Sequence, residues 1–303
     1  MSISFHTRSL LSRLPATACF AAPTSLFGSR SFSSPISCFQ RKFHEGEGII
    51  EKFFTPESLR HLIEGKVHAI VIHSFTEKEV CAKASKLILS ERIKEYTNAP
   101  GIGRVGIAYF ETTNNEVMQK EYFDKCQQQI TALRRIFWPH IAPIDYLRLR
   151  LDETWPAGAN LETKDDKKMF SGLVRSLDNN KEILPHEDVL ERDDPTNLGK
   201  KPLKVQLAAN VYLQVPVNGG ELELYREKHS TKTYDLLRGD SYGIEDKSLL
   251  FPPYLSIKPA AGDLVMFNAN YCHSVAKVEG LTRLSLSTFI GYRDAASPLS
   301  LWS

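Results

Sequence analysis

The sequence reads as an α+β chain, mainly β, in which amphipathic helices precede a sandwich or barrel of short strands. Between Thr76 and Phe137 apolar residues recur at helical spacing. From about residue 169 onward, short apolar runs alternate with Gly, Pro, Asn and Asp punctuation. A chain of 303 residues that is 42% hydrophobic and 24% charged has apolar material for one large core or two small ones.

The first 42 residues stand apart. They contain Arg8, Arg13, Arg30, Arg41 and Lys42 and no acidic residue, which leaves 33 of the 38 basic residues against 36 acidic ones in the remainder. This is the composition of an organelle transit peptide. Ser4 to Leu14 is expected to form a short basic amphipathic helix, and Arg30-Ser31-Phe32-Ser33-Ser34 resembles the arginine-containing cleavage sites of mitochondrial presequences. Residues 1–42 are therefore expected to be a disordered transit peptide for the mitochondrion, with a plastid or cytoplasmic location, or a plain disordered tail, as the alternatives. A single domain is expected over 43–303. Cys19 and Cys38 fall in the leader; Cys81, Cys126 and Cys272 are widely spaced, which suggests reduced thiols rather than a disulfide framework or a zinc ribbon. No run approaches the 18 apolar residues of a membrane span. No basic stripe interleaved with aromatics points to nucleic acid.

Thr76 and Glu79 have capping-box spacing, and Val80, Ala84, Leu87, Ile88 and Ile93 continue at helical intervals. A second helix is expected over Glu116 to Phe137, with a stripe of Met118, Tyr122, Phe123, Ile130, Leu133 and Phe137 and a stop at Pro139. Helical support thus spans about 48–140, with the β core over about 145–295. Strands are expected at Gly172 to Leu177, Val205 to Val215, Glu221 to Tyr225, Asp263 to Phe267 and Arg283 to Tyr292. Glu227 to Pro253 reads as a long insertion of the kind that forms lids and binding loops.

The chemistry concentrates in the β region. In Ile183-Leu184-Pro185-His186-Glu187-Asp188, an extended backbone puts His186 and Asp188 on one face and Glu187 on the other. With a remote histidine, this gives two imidazoles and one carboxylate on one side of a metal, the facial arrangement of non-haem iron(II) oxygenases. Three coordination positions stay open, two for a bidentate keto acid and one for dioxygen. The remote histidine is His273, which follows the Gly262-Asp263 turn and the apolar run Leu264 to Phe267. Ten residues on, Arg283, Ser285 and Ser287 share a strand face. A guanidinium fork matches a carboxylate, and Ser285 can add a hydroxyl; the other reading of Arg283 is a surface arginine on an edge strand. In Val205 to Val215, Gln206, Asn210, Tyr212 and Gln214 share one face and apolar residues fill the other, so Tyr212 either looks into a polar cavity or is an ordinary strand aromatic. Gly219-Gly220 is read as turn chemistry. Arg175 is read as a surface arginine, with pairing to an acidic substrate as the alternative.

The order H-x-D, Gly219-Gly220-Glu221-Leu222-Glu223-Leu224, G-D-x-x-x-F, His273 and R-x-S resembles the iron(II)/2-oxoglutarate-dependent dioxygenase superfamily over about Gly172 to Asp294. It is most similar to the branch of prolyl-hydroxylase-like domains and small-molecule hydroxylases and halogenases. The resemblance implies a double-stranded β-helix (jelly-roll) core, iron(II) held by His186, Asp188 and His273, and 2-oxoglutarate held through its distal carboxylate by Arg283 with help from Ser285 and Tyr212. It further implies a dioxygenase that uses O2 to hydroxylate an unactivated C–H of a small molecule or amino-acid side chain, releasing succinate and CO2. A halogenating relative would carry a small residue in place of Asp188, so Asp188 argues for oxygenation. A zinc-dependent hydrolase could use the same His/Asp/His site, and a jelly-roll binding module would need none of it; the first leaves Arg283 without a task and the second leaves the triad without one. Selectivity is expected from Gly172 to Asn180, Glu191 to Leu203 and the insertion. Substrate identity and oligomeric state stay open.

Overall fold

A computed structural model describes residues 50–90, 94–96, 99–195 and 201–303. The leader, with its expected helix, cleavage site and two cysteines, lies outside the described residues, as do Ile93 and part of the Glu191 to Leu203 loop. In chain order the elements that build the site are helix α1 (Pro56–Ile63), strand β1 (Ala69–Ile72), helix α2 (Lys78–Ser90), strand β2 (Ala99–Val105), and helices α3 (Glu116–Phe137) and α4 (Pro143–Thr154). Strands β3 (Leu173–Leu177) and β4 (Ile183–His186), short helix α5 (Leu190–Asp193), and strands β5 (Val205–Gln214) and β6 (Leu222–Leu224) follow. After helix α6 (Thr231–Arg238) come β7 (Leu255–Ile257), β8 (Leu264–Asn268), β9 (His273–Val275), β10 (Arg283–Tyr292) and β11 (Leu299–Trp302).

Two sheets face each other. The larger runs β1-β8-β5-β10-β3-β2 through its centre, with β11 also paired to β10; the smaller runs β7-β6-β9-β4. This is the jelly-roll layering, α+β with helices added. The larger sheet is covered on both faces. On the back, Leu207, Ala209, Val211 and Leu213 of β5, Leu264 and Met266 of β8, and Leu284 and Leu286 of β10 pack against Leu59, Ile88, Phe137, Leu147 and Leu151 of the four helices. On the front, Ala208 and Tyr212, Val265 and Phe267, and Phe289 meet Ile183, Leu222, Leu224 and Val275 of the smaller sheet. Each fully buried Leu contributes about 1.5–3 kcal/mol relative to exposure. Strand parity therefore decides which residues reach the barrel interior.

α3 occupies the expected span. The Asn115 side chain accepts the Met118 N–H at its start, and Trp138-Pro139 ends it because proline has no N–H to continue the ladder. α2 begins one residue later than the capping-box spacing suggests: the Thr76 N–H is taken by the carbonyl of Gly262, at a turn where a Cβ on Gly262 would lie 2.3 Å from Thr76 O. The helical support expected over 48–140 contains helices but also strands. β1 pairs antiparallel with β8 and β2 with β3, extending the larger sheet at both sides. Conversely, α4 falls inside the span expected to be β core, and β11 lies beyond its expected end.

Candidate metal centre and co-substrate pocket

His186 and His273 are directly paired across β4 and β9, so sheet register brings the two imidazoles together, with ring centroids 4.2 Å apart. Asp188 lies just past the end of β4, anchored by its N–H on the Ala269 carbonyl and by Asn270 Nδ2 on its own carbonyl. Its Oδ2 lies 3.2 Å from His273 Nε2 and 3.9 Å from His186 Nε2. One donor atom from each of the three residues falls within 4.8 Å of the others, the only such grouping of three His, Cys, Asp or Glu among the described residues. His186 Nδ1 meets the Leu184 carbonyl at 2.8 Å and His273 Nδ1 the Tyr271 carbonyl at 3.0 Å. A carbonyl only accepts, so each ring must carry its proton on Nδ1 and turn the Nε2 lone pair inward, as a metal ligand requires. Burial, with His273 adding to it, lowers His186 to about 4, which keeps the imidazole neutral. Burial alone would raise Asp188, but the two imidazoles hold its carboxyl well below the usual range. Two neutral imidazoles and one carboxylate, converging from one side, fit a divalent ion such as iron(II).

Glu187 points the other way, as alternation requires, and is fully enclosed. It accepts the His229 N–H at 2.8 Å, His229 Nδ1 at 2.7 Å and Arg192 Nη2 at 3.0 Å. The residue between His186 and Asp188 thus ties the metal loop to the segment that enters α6.

Arg283, Ser285 and Ser287 line the cavity that also contains the triad, together with Asn210. The arginine is 4% exposed, which excludes the surface reading. Its Cζ lies 4.8 Å from the Tyr212 ring centroid, and both Arg283 Nε and the Tyr212 hydroxyl are buried without a hydrogen-bond partner. Burial raises the Tyr212 phenol while the guanidinium pulls it down. Buried donors are ordinarily satisfied, so an unmatched guanidinium N–H beside an unmatched phenol marks a place for an anionic acceptor. Ser285 is the direct cross-strand partner of Tyr212. Gly219, φ +68°, makes the turn read from sequence: a Cβ there would sit 1.7 Å from the Lys277 carbonyl.

Residues 172–291 match the family model of the 2OG-Fe(II) oxygenase superfamily. That span runs from β3 into β10 and contains the three converging metal donors and Arg283. The chain is 31% identical over 163 residues to L-gamma-glutamyl-L-propargylglycine hydroxylase of Streptantibioticus cattleyicolor, a match covering 52% of this chain and 59% of that relative. It is 24% identical over 240 residues to L-isoleucine 3(1)-dioxygenase of Pantoea ananatis, covering 73% and 79%. The crystal structure of an N-substituted L-amino acid dioxygenase from Burkholderia ambifaria AMMD superimposes with a TM-score of 0.59 over 82% of this chain and 91% of that one, at 15% identity, a likeness of fold.

The site also holds residues whose place is not evident from the sequence. Arg175, a surface residue on the sequence reading, lies on β3 directly opposite Ser285 and lines the cavity; Nε is buried without a hydrogen-bond partner. Parity is the available signal, since Leu173 and Leu177 share its face and pack in the interior. The insertion does reach the site. The Leu184 N–H donates to the Tyr242 hydroxyl at 2.9 Å, Ile244 N–H donates to the Pro185 carbonyl, and the Tyr242 ring lies 6.3 Å from that of His186. With Tyr234, Arg238, Arg192 and Asp193, Tyr242 encloses an outer cavity of about 250 Å³ that shares His186, Asp188 and Arg175 with the inner one. All three segments expected to set selectivity contribute to these walls.

Proposed function

We propose that this chain is an Fe(II)- and 2-oxoglutarate-dependent dioxygenase that hydroxylates an aliphatic C–H of an amino-acid-like substrate. The observation that carries this is the coincidence, in one cavity, of three inward-facing metal donors with a buried arginine whose Nε lacks a partner. His186, Asp188 and His273 would hold the iron, and Arg283 would receive the distal carboxylate of 2-oxoglutarate, flanked by Ser285 and the Tyr212 hydroxyl. Iron(II) with 2-oxoglutarate and O2 supplies oxygen insertion into a C–H bond, with succinate and CO2 as co-products.

The chain's own contribution is positioning. Carbonyl partners on both Nδ1 atoms prevent the imidazoles from rotating, the Asp188 carboxylate would offset the charge of the ion, and the apolar walls of Phe267, Leu222 and Val275 exclude water from the inner cavity. The outer cavity, open to the metal side and walled by the insertion, is where substrate would sit. The hydroxylase and dioxygenase named above act on amino-acid-type compounds by their names, which supports that class here. A zinc hydrolase would leave the Arg283 fork unused. We further propose a single oxygenase domain over 43–303, delivered to the mitochondrion by the acid-free leader; its composition supports this. The test of the catalytic reading is anaerobic titration of the Fe(II)-loaded protein with 2-oxoglutarate. A visible charge-transfer band is expected, and its absence would refute the assignment.

A further inference from the structure

The outer cavity presents a guanidinium and a carboxyl group that form no ion pair among the described residues. Arg175 forms no ion pair among the described residues; its Cζ lies 5.8 Å from the Phe289 ring centroid, and Nε is enclosed without a hydrogen-bond acceptor. The other two arginines of this cavity are engaged. Arg192 is bonded to Glu187 and stacked 4.1 Å from the Tyr234 ring centroid, and Arg238 is bonded to Asp235 and the Ser241 carbonyl. Asp193, at the end of α5, contributes to the same wall, and its carboxylate forms no ion pair among the described residues. Burial, reinforced by the charge of Asp188, pushes it up to about 8 against the pull of Arg192 and Arg238, so a bound cation would favour its ionised form. Arg175 and Asp193 line the same cavity. Ile102, Phe110, Ile183, Tyr234 and Tyr242 supply its apolar and aromatic surface.

We propose that Arg175 and Asp193 form a zwitterion clamp that selects a free α-amino acid with an apolar side chain, Arg175 taking the carboxylate and Asp193 the ammonium group. This rests on the oxygenase reading above and adds to it which end of the substrate each residue holds. A guanidinium without an ion pair matches a carboxylate in two parallel hydrogen bonds, and an ammonium group supplies the donors that Asp193 lacks. A site built on such groups rejects a blocked analogue strongly, because the analogue leaves them buried and unmatched. The apolar walls then accommodate the side chain beside the metal donors.

The test uses full-length protein loaded with Fe(II) and 2-oxoglutarate under anaerobic conditions. The probes are the aliphatic and aromatic proteinogenic L-amino acids, each with its methyl ester and its N-acetyl derivative, and binding is read by calorimetry and by perturbation of the charge-transfer band. At least one free amino acid is expected to bind, and blocking either end to weaken it tenfold or more. Arg175→Met should reduce the free acid to the affinity of its ester without weakening the ester further. Asp193→Asn should do the same for the N-acetyl pair. The 2-oxoglutarate midpoint should stay within twofold in both variants, which also reports that the inner site is folded. Should Arg175→Met prove unstable, Arg175→Lys keeps the charge without the fork and should give an intermediate loss. Blocked and free probes binding alike, no free amino acid binding while the band forms, or a shift of the 2-oxoglutarate midpoint in Arg175→Met would each overturn the clamp. Absence of the band in wild type would instead refute the oxygenase reading.

Discussion

Replacing Arg283 with Leu isolates the co-substrate pocket from the metal. The guanidinium is 4% exposed and its Nε lacks a partner, so a carboxylate arriving there meets a donor already stripped of water. Hydrogen bonds to charged groups contribute about 1.5–3 kcal/mol each, and a fork can make two. Some of this is offset by removing the keto acid's carboxylate from water, which leaves a net loss of about 3 kcal/mol. At ~1.4 kcal/mol per factor of ten, the midpoint for 2-oxoglutarate should rise by about two orders of magnitude. Iron affinity should change little, since Arg283 is not among the donors. Arg283→Lys, which keeps the charge and loses the planar fork, should fall between. The assay is the anaerobic charge-transfer absorbance titrated with keto acid at fixed Fe(II), with near-ultraviolet circular dichroism to confirm that loss of the neighbour to Tyr212 has not disturbed the barrel. Equal midpoints in wild type and Arg283→Leu would refute the reasoning.

His186→Ala or His273→Ala should abolish substrate turnover even with excess iron, because only three donors converge; turnover at the wild-type level in either variant would remove the triad. Asp188→Gly should likewise lose hydroxylation, as followed by succinate release. Glu187→Ala should cost about 3–5 kcal/mol in urea unfolding, since it strands Arg192 in a site where the carboxylate is fully enclosed; a loss under about 1 kcal/mol would show that the insertion is not held there. The metal-free protein should lose stability as pH falls from about 6.5 to about 4: the unfolded chain takes up a proton that the buried native His186, lowered to about 4, refuses. With each pH unit of that window contributing ~1.36 kcal/mol, the loss amounts to about 3 kcal/mol. It is read as the difference in pH dependence between wild type and His186→Leu, and identical profiles would exclude it. Protein isolated from its native cells should begin between about residues 31 and 45, as a cleaved presequence requires; an intact N-terminus on cytosolic protein would reject the targeting proposal.

The helices and long strands are legible in the sequence because their signals are local. α3 carries its own cap, stripe and proline stop, and β10 keeps one periodicity from Arg283 to Tyr292. β1 shows why the remainder is not. Ala69-Ile70-Val71-Ile72 is a short β-branched run between helices, and what makes it a strand is the exposed edge of β8, a partner almost two hundred residues away. α4 does have local signals, with Pro143 at its first turn and Ile144, Leu147 and Leu151 at helical spacing. The change of pattern that follows it outweighs them.

The site divides along the same line. The metal donors are legible because a ligand set constrains residue type and order, and the extended backbone through His186 constrains which neighbours share a face. His186 and Asp188 do converge with His273, although β4 ends at His186 and Asp188 is positioned by Ala269 and Asn270 instead of by the ladder. Arg283 is open to two readings in the sequence because a strand pattern gives parity but not which face is inside; the back of the larger sheet being sealed by four helices decides it. The same argument places Arg175 inside, one strand over and opposite Ser285. The substrate walls are the least legible. Glu187, Arg192 and His229 do not neighbour one another in sequence, and only the closed network they form shows that the insertion is docked against the metal loop. A buried carboxylate next to a ligand is costly unless paired, so pairing Glu187 from the insertion makes the outer cavity depend on the segment that encloses it, and the fold supplies the proposed metal, co-substrate and substrate surfaces from the smaller sheet, the larger sheet and the insertion in turn.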